Sequence, residues 1–306
     1  MLRKLARVAF RNRRLSCARL STKRQYLSYP QFRRKQQAVP AVLFASFGVA
    51  YCLSTTKRDT DEASLVNKAN ELYESGLWHQ IYDLLLPYCN TTNPDILWRL
   101  ARAARDVSQL SDTQKNDKKR LVYEALEYAT RAVEYGPNNF ACHKWCGIAL
   151  SDVGDYEGTK AKITNAYVIR DHFLKAIELN PNDSTSRYLL GKWCFTLAEM
   201  PWYQHKIAAA LFATPPSSTY EEALKHFELA EKNNPDFYCD NKLMLGKTHL
   251  RLGHKQEAKQ WLTKTVAYNV YRPEDKQVKV KMKQGNFFVL SEGIHLAFLQ
   301  FYSALL

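Results

Sequence analysis

Cys142, His143 and Cys146 lie within ACHKWC and are the residues whose types come nearest to a metal-binding set. Cys142 and Cys146 are four residues apart, which puts both thiols on one face of a helix. Two such ligands are too few for a structural zinc site, which takes four, so the spacing predicts core packing. Asp152 and Asp155 flank Gly154 and read as turn and cap residues. The chain offers no Ser/His/Asp set, no Gly-rich phosphate loop and no HExxH motif. The expectation is therefore no catalytic residue, no cofactor, no metal site and no enzyme. The seven cysteines are an odd number without framework spacing and read as reduced thiols.

What must position these residues is helical. Gly and Pro number only 11 each in 306 residues. Around Pro181 the chain reads as a helix end, a Pro-Asn-Asp turn and a new helix that Asp183 or Ser184 can cap. A small residue, Ala176, precedes Pro181 by five, and the cadence recurs at Ala132/Pro137 and Ala230/Pro235. A supersecondary unit that recurs in this way marks a repeat array.

The pattern is that of 34-residue tetratricopeptide units, with small residues at positions 8 and 20 where two helices cross. Counting from Cys239, Gly246 falls at 8, Gly253 at 15, Ala258 at 20 and Leu262 at 24; counting from Glu62, Ala69, Gly76, Ile81 and Leu85 fall likewise. The predicted fold class is all-α: a superhelix of about five tetratricopeptide-like helical hairpins over residues 61–272, with two insertions. The first insertion follows Asp155-Tyr156 and lengthens a helix B. The second, residues 198–224, is broken by Pro201, Pro215 and Pro216, and predicts an extra helix at 202–212; Pro201, Trp202 and Tyr203 are its candidate functional residues. Ser217-Ser218-Thr219 before Glu221-Glu222 signals the restart of helix B. Residues 273–283 read as a charged capping helix, and 286–306 as an apolar tail.

The net charge of +14 is local. Residues 1–58 hold 14 of the 44 Lys+Arg and no acid, which leaves 30 Lys+Arg against 30 Asp+Glu in the rest. A neutral body argues against nucleic acid as the partner. Residues 1–35 have the basic, acid-free, Ser-rich composition of a mitochondrial transit peptide. Residues 36–56 carry no charge and are about long enough to span a bilayer, so a membrane contact or anchor is expected at 36–58.

Four stretches carry a resemblance: LWRLARAARDVSQLS (97–111), LVYEALEYATRAVE (121–134), HKWCGIALSDVGDYEGTKAKI (143–163) and LAEMPWYQHKIAAALFATPPSSTYEEAL (197–224). On these the chain resembles the regulator-of-microtubule-dynamics family. That resemblance implies a protein-binding adaptor involved in microtubule dynamics or chromosome segregation. It further implies tubulin or microtubules as the partner, and a place in the cytoplasm, on the cytoskeleton or spindle, or at an organelle membrane. The apolar tail after Lys283 departs from the polar ending the family implies. A mitochondrial or membrane-contact role, as tether or as a lipid-binding repeat domain lined by 198–216, is the alternative.

In such an array, helix A positions 2, 5, 9, 12 and 13 line the concave groove. They give Lys144, Ile148 and Asp152 in the third unit, Tyr188, Lys192 and Phe195 in the fourth, and Leu243, Lys247 and Arg251 in the fifth. In the second unit Arg99, Arg102 and Arg105 recur every three residues on one helix side. A locally positive, aromatic-bearing groove would suit an acidic extended peptide such as a tubulin tail.

Overall fold

The computed structural model describes the backbone of residues 48–212 and 215–269 and two further residues, Asp275 and Val278; side chains are described from Asp61 on. The leader 1–35, most of 36–58 and the tail after Gly285 lie outside the described residues. The chain divides into two compact units, Met1–Leu65 and Val66–Leu306, and the hairpins belong to the second. Among the described residues there are helices and no strands.

The helices are α1 (Gly48–Glu74), α2 (Trp78–Leu85), α3 (Pro94–Gln109), α4 (Lys115–Tyr135), α5 (Phe140–Glu157), α6 (Thr159–Leu179), α7 (Ser184–Ala198), α8 (Trp202–Leu211), α9 (Tyr220–Asn233), α10 (Cys239–Arg251) and α11 (Lys255–Ala267). Helices α3/α4, α5/α6, α7/α9 and α10/α11 pair as hairpins, and each hairpin packs on the next. The first helices of successive hairpins also touch, α3 on α5 and α7 on α10. One wall of the stack is therefore made of A helices.

Each of the last three hairpins closes on a glycine. A Cβ added to Gly147 would lie 2.5 Å from the Phe173 ring, one on Gly191 2.7 Å from Phe227, and one on Gly246 2.7 Å from Leu262. All three glycines sit at position 8 of their units, where backbone and facing side chain come into van der Waals contact. Gly76 and Gly253, both at position 15, turn the chain with φ of +68° and +79°, a region that other L-residues avoid.

The ends of the B helices repeat one device. The N–H groups of Gly136, Asn180 and Asn234 donate to the carbonyls of Ala132, Ala176 and Ala230, and these three alanines are fully buried. Side chains cap the starts of four helices: Asn93 accepts from Asp95 N–H, Asn139 from Ala141 N–H, Asp183 from Ser186 N–H and Thr219 from Glu222 N–H. The first insertion does lengthen helix B, since α6 runs 21 residues. The second does contain an extra helix, α8, which packs on α6. Beyond α11, Val278 is helical and buried against Cys239, Leu243 and Leu262.

Four cysteines, Cys142, Cys146, Cys194 and Cys239, are buried free thiols. Cys89 departs from the reading of all seven as reduced: it is disulfide-bonded. Spacing along the chain carries no information on such a pairing. Among the described residues no helix is long and apolar enough to cross a membrane.

Candidate protein-binding site

The A-helix wall is a chain of polar links made by the groove residues. From α3, Arg99 donates Nε to Asn70 Oδ1 (3.0 Å) and pairs with Asp95 (3.1 Å). Arg105 donates Nε to Asp152 Oδ2 of α5 at 2.7 Å. Lys144 of α5 reaches the Asp183 carboxylate that caps α7 at 3.0 Å. The Tyr188 hydroxyl of α7 donates to Asp240 of α10, which Lys192 approaches at 3.6 Å. At the end of the wall Arg251 of α10 pairs with Glu199, which also accepts from the Tyr220 hydroxyl at 2.9 Å.

These links set the electrostatics. Burial pulls against the Arg105 charge, but Asp152 and Asp106 outweigh it and hold its pKa above the ordinary value. Burial and the Asp240 carboxylate together push the Tyr188 phenol well up, so it stays a donor. Burial works against the Glu199 carboxylate, yet the hydrogen bonds from Arg251 and Tyr220 bring its pKa down.

The wall is therefore less positive than a count of Lys and Arg predicts. Arg99 and Arg102 are 9% and 8% exposed, and both lie against Trp98, with Arg102 also over Tyr73. Tyr188 and Leu243 are core residues at 4% and 1%. Ile148 is buried too, and Phe195 is part-buried against Tyr220. The cations that keep substantial exposure are Lys192 and Arg251 (46% and 34% of the side chain), while Lys247 is half-buried. Position counting identifies cations but not the acids that reach them from the next helix. Asp240 could have been found: it occupies position 2 of the fifth unit, itself a groove position.

The ACHKWC residues join in a different way. His172 of α6 lies between Cys146 Sγ (3.5 Å from Nε2) and His143 Nδ1 (3.1 Å from Nδ1), and His143 Nε2 meets the Pro137 carbonyl at 2.9 Å. Burial pushes the Cys142 and Cys146 thiols up to about 12, so neither is a nucleophile near neutrality. Among the described residues no three metal ligands converge.

In the second insertion Pro201 starts α8, while Trp202 and Tyr203 are 70% and 50% exposed. These aromatics face solvent and do not line an enclosed pocket. An open cleft of about 520 Å³ lies instead at the Pro137 turn, bounded by Tyr135, Phe140 and Leu179; none of the predicted groove residues lines it.

Paired helices, glycine crossings and an A-helix wall define a helical-repeat protein of the tetratricopeptide type. A thermophilic tetratricopeptide-repeat protein of Thermus thermophilus matches with a TM-score of 0.52 at 16% identity, over 73% of this chain and 97% of that one. The family description "Regulator of microtubule dynamics protein 1-3" matches residues 65–285. Regulator of microtubule dynamics protein 1 of Pongo abelii is 56% identical over 220 residues, 72% of this chain and 70% of that protein. Regulator of microtubule dynamics protein 3 of Xenopus laevis is 32% identical over 217 residues, 70% of this chain and 47% of that protein. The chain belongs to the regulator of microtubule dynamics family.

Proposed function

We propose that this protein is a non-enzymatic adaptor that acts in microtubule dynamics or chromosome segregation, with tubulin or microtubules as its partner. The observation that carries this reading is the family match across 65–285, which spans the described hairpin array. The fold supports it, because stacked hairpins offer an extended wall on which a segment of another protein can lie. Lys192, Lys247 and Arg251 line up along the last two units of that wall, where an acidic peptide would exchange with Asp240 and Glu199. The test is co-sedimentation of the full chain with microtubules at low and moderate salt. Pelleting that weakens as salt rises is expected; a protein that stays in the supernatant at low salt overturns the reading.

A second reading concerns location. Fourteen cations without an acid in residues 1–58 favour attachment to mitochondria or another organelle membrane through the leader and the uncharged 36–56 stretch. Imaging a C-terminally tagged chain with and without 1–58 decides it: loss of organelle staining is expected, and an unchanged distribution rules it out.

A further inference from the structure

Helix α3 carries three arginines one turn apart, and two of them are matched. Arg99 has Asp95 and Asn70, and Arg105 has Asp152 at 2.7 Å and Asp106 at 3.7 Å. Arg102, between them, is 8% exposed, and its Nε and Nη2 have no acceptor. Asp106 and Glu74 act on it only through their charge. A buried guanidinium edge whose donors lack acceptors is costly, so that bare edge invites an anion.

The shape of the slot narrows the choice. Tyr73 lies over the guanidinium with its ring centre at 3.6 Å, and the Trp98 ring centre is at 5.2 Å. The free Nε and Nη2 point along one edge of the guanidinium, in its plane. Two parallel N–H donors at that spacing match the two oxygens of a carboxylate. A planar carboxylate can lie in the guanidinium plane beside the stacked Tyr73 ring, whereas a tetrahedral phosphate projects oxygens out of that plane. Tyr73 is only part-buried, on the last turn of α1, where its ring also meets Trp78 edge-on.

We propose that Arg102 receives one carboxylate of the bound partner at its Nε/Nη2 edge. This rests on the adaptor reading and names the chemistry that the α1/α3 end of the wall recognises.

The test uses the full chain and a fluorescein-labelled octaglutamate peptide, with octaglutamine and a phosphoserine octamer as controls. Binding is read by anisotropy, and melting temperature is recorded for each variant. Octaglutamate is expected to bind and the two controls to bind at least tenfold more weakly. Arg102→Met, which keeps the stem but removes the charge, is expected to weaken octaglutamate binding at least tenfold without lowering the melting temperature. Arg102→Lys, a point charge without the fork, is expected to weaken it about tenfold, and serves if the methionine variant fails to fold. Unchanged octaglutamate affinity in both variants overturns the proposal, as does tighter binding of the phosphoserine peptide. If the wild type pellets with microtubules but ignores octaglutamate, the carboxylate site falls and the adaptor reading stands. If it does neither, both fall.

Discussion

At the scale of single residues, a glycine and a histidine show what the hairpins depend on. A methyl at Gly147 would enter the Phe173 ring at 2.5 Å, and Phe173 is itself 3% exposed with no room to retreat. Gly147→Ala is therefore expected to destabilise the protein by about 1–3 kcal/mol, read as a lower urea midpoint. Trimming the ring in Gly147→Ala/Phe173→Leu should recover part of that loss, as coupling between touching residues requires. His172 behaves differently. Burial, with His143 beside it, lowers its pKa to about 4, below the roughly 6.5 of an unfolded histidine. The fold thus favours the neutral ring, and its contribution is complete above pH 6.5 and lost as pH falls from 6.5 towards 4. Urea midpoints should drop between pH 7 and pH 5, and His172→Gln should flatten that drop. The glycine was legible in the sequence, because position 8 of a 34-residue unit must be small. The histidine was not, because Cys146 and His143 come from the facing helix, and only the α5/α6 register brings them to it.

At the scale of elements, the second insertion separates what holds from what is displayed. Its two feet are tied together: Glu199, at the end of α7, takes hydrogen bonds from Arg251 of α10 and from Tyr220, at the start of α9. Helix α8 between the feet buries Ala208 and leaves Trp202 and Tyr203 in solvent. Trp202→Ala should then change stability by no more than about 0.5 kcal/mol. Glu199→Gln loses a charge-assisted pair at a part-exposed site and should cost about 1 kcal/mol. It should also speed amide exchange in α8, measured by hydrogen–deuterium mass spectrometry, whereas Trp202→Ala should leave exchange elsewhere unchanged. Equal effects from the two substitutions would show that the feet do not hold the insertion. The prolines announced this helix, and the Ser-Ser-Thr cap announced the start of α9. Arg251 lies 52 residues from Glu199, and nothing local in the chain joins them.

At the scale of the Val66–Leu306 unit, polar links join successive hairpins. Arg105–Asp152 joins the second to the third, Lys144–Asp183 the third to the fourth, and Tyr188–Asp240 with Arg251–Glu199 the fourth to the fifth. In a repeat array each unit is stabilised chiefly by its nearest neighbours, so cooperativity depends on these interfaces. Apolar contacts supply most of their strength, as where Tyr188, Phe227, Met244 and Leu245 share one buried cluster across the fourth and fifth units. The polar links fix how one hairpin sits on the next. Asp240 is the most sensitive of them, because it is 8% exposed and accepts from a phenol that is 4% exposed. Asp240→Ala leaves the Tyr188 hydroxyl without its acceptor in the core, at a cost of about 1–3 kcal/mol. That loss falls on one interface, so calorimetry should find the wild-type transition broadened or split, with the fifth unit melting first. Tyr188→Phe/Asp240→Ala removes both ends of the link and should restore much of the lost cooperativity. A single sharp transition in Asp240→Ala, merely shifted down, would mean that apolar packing alone couples the last two hairpins.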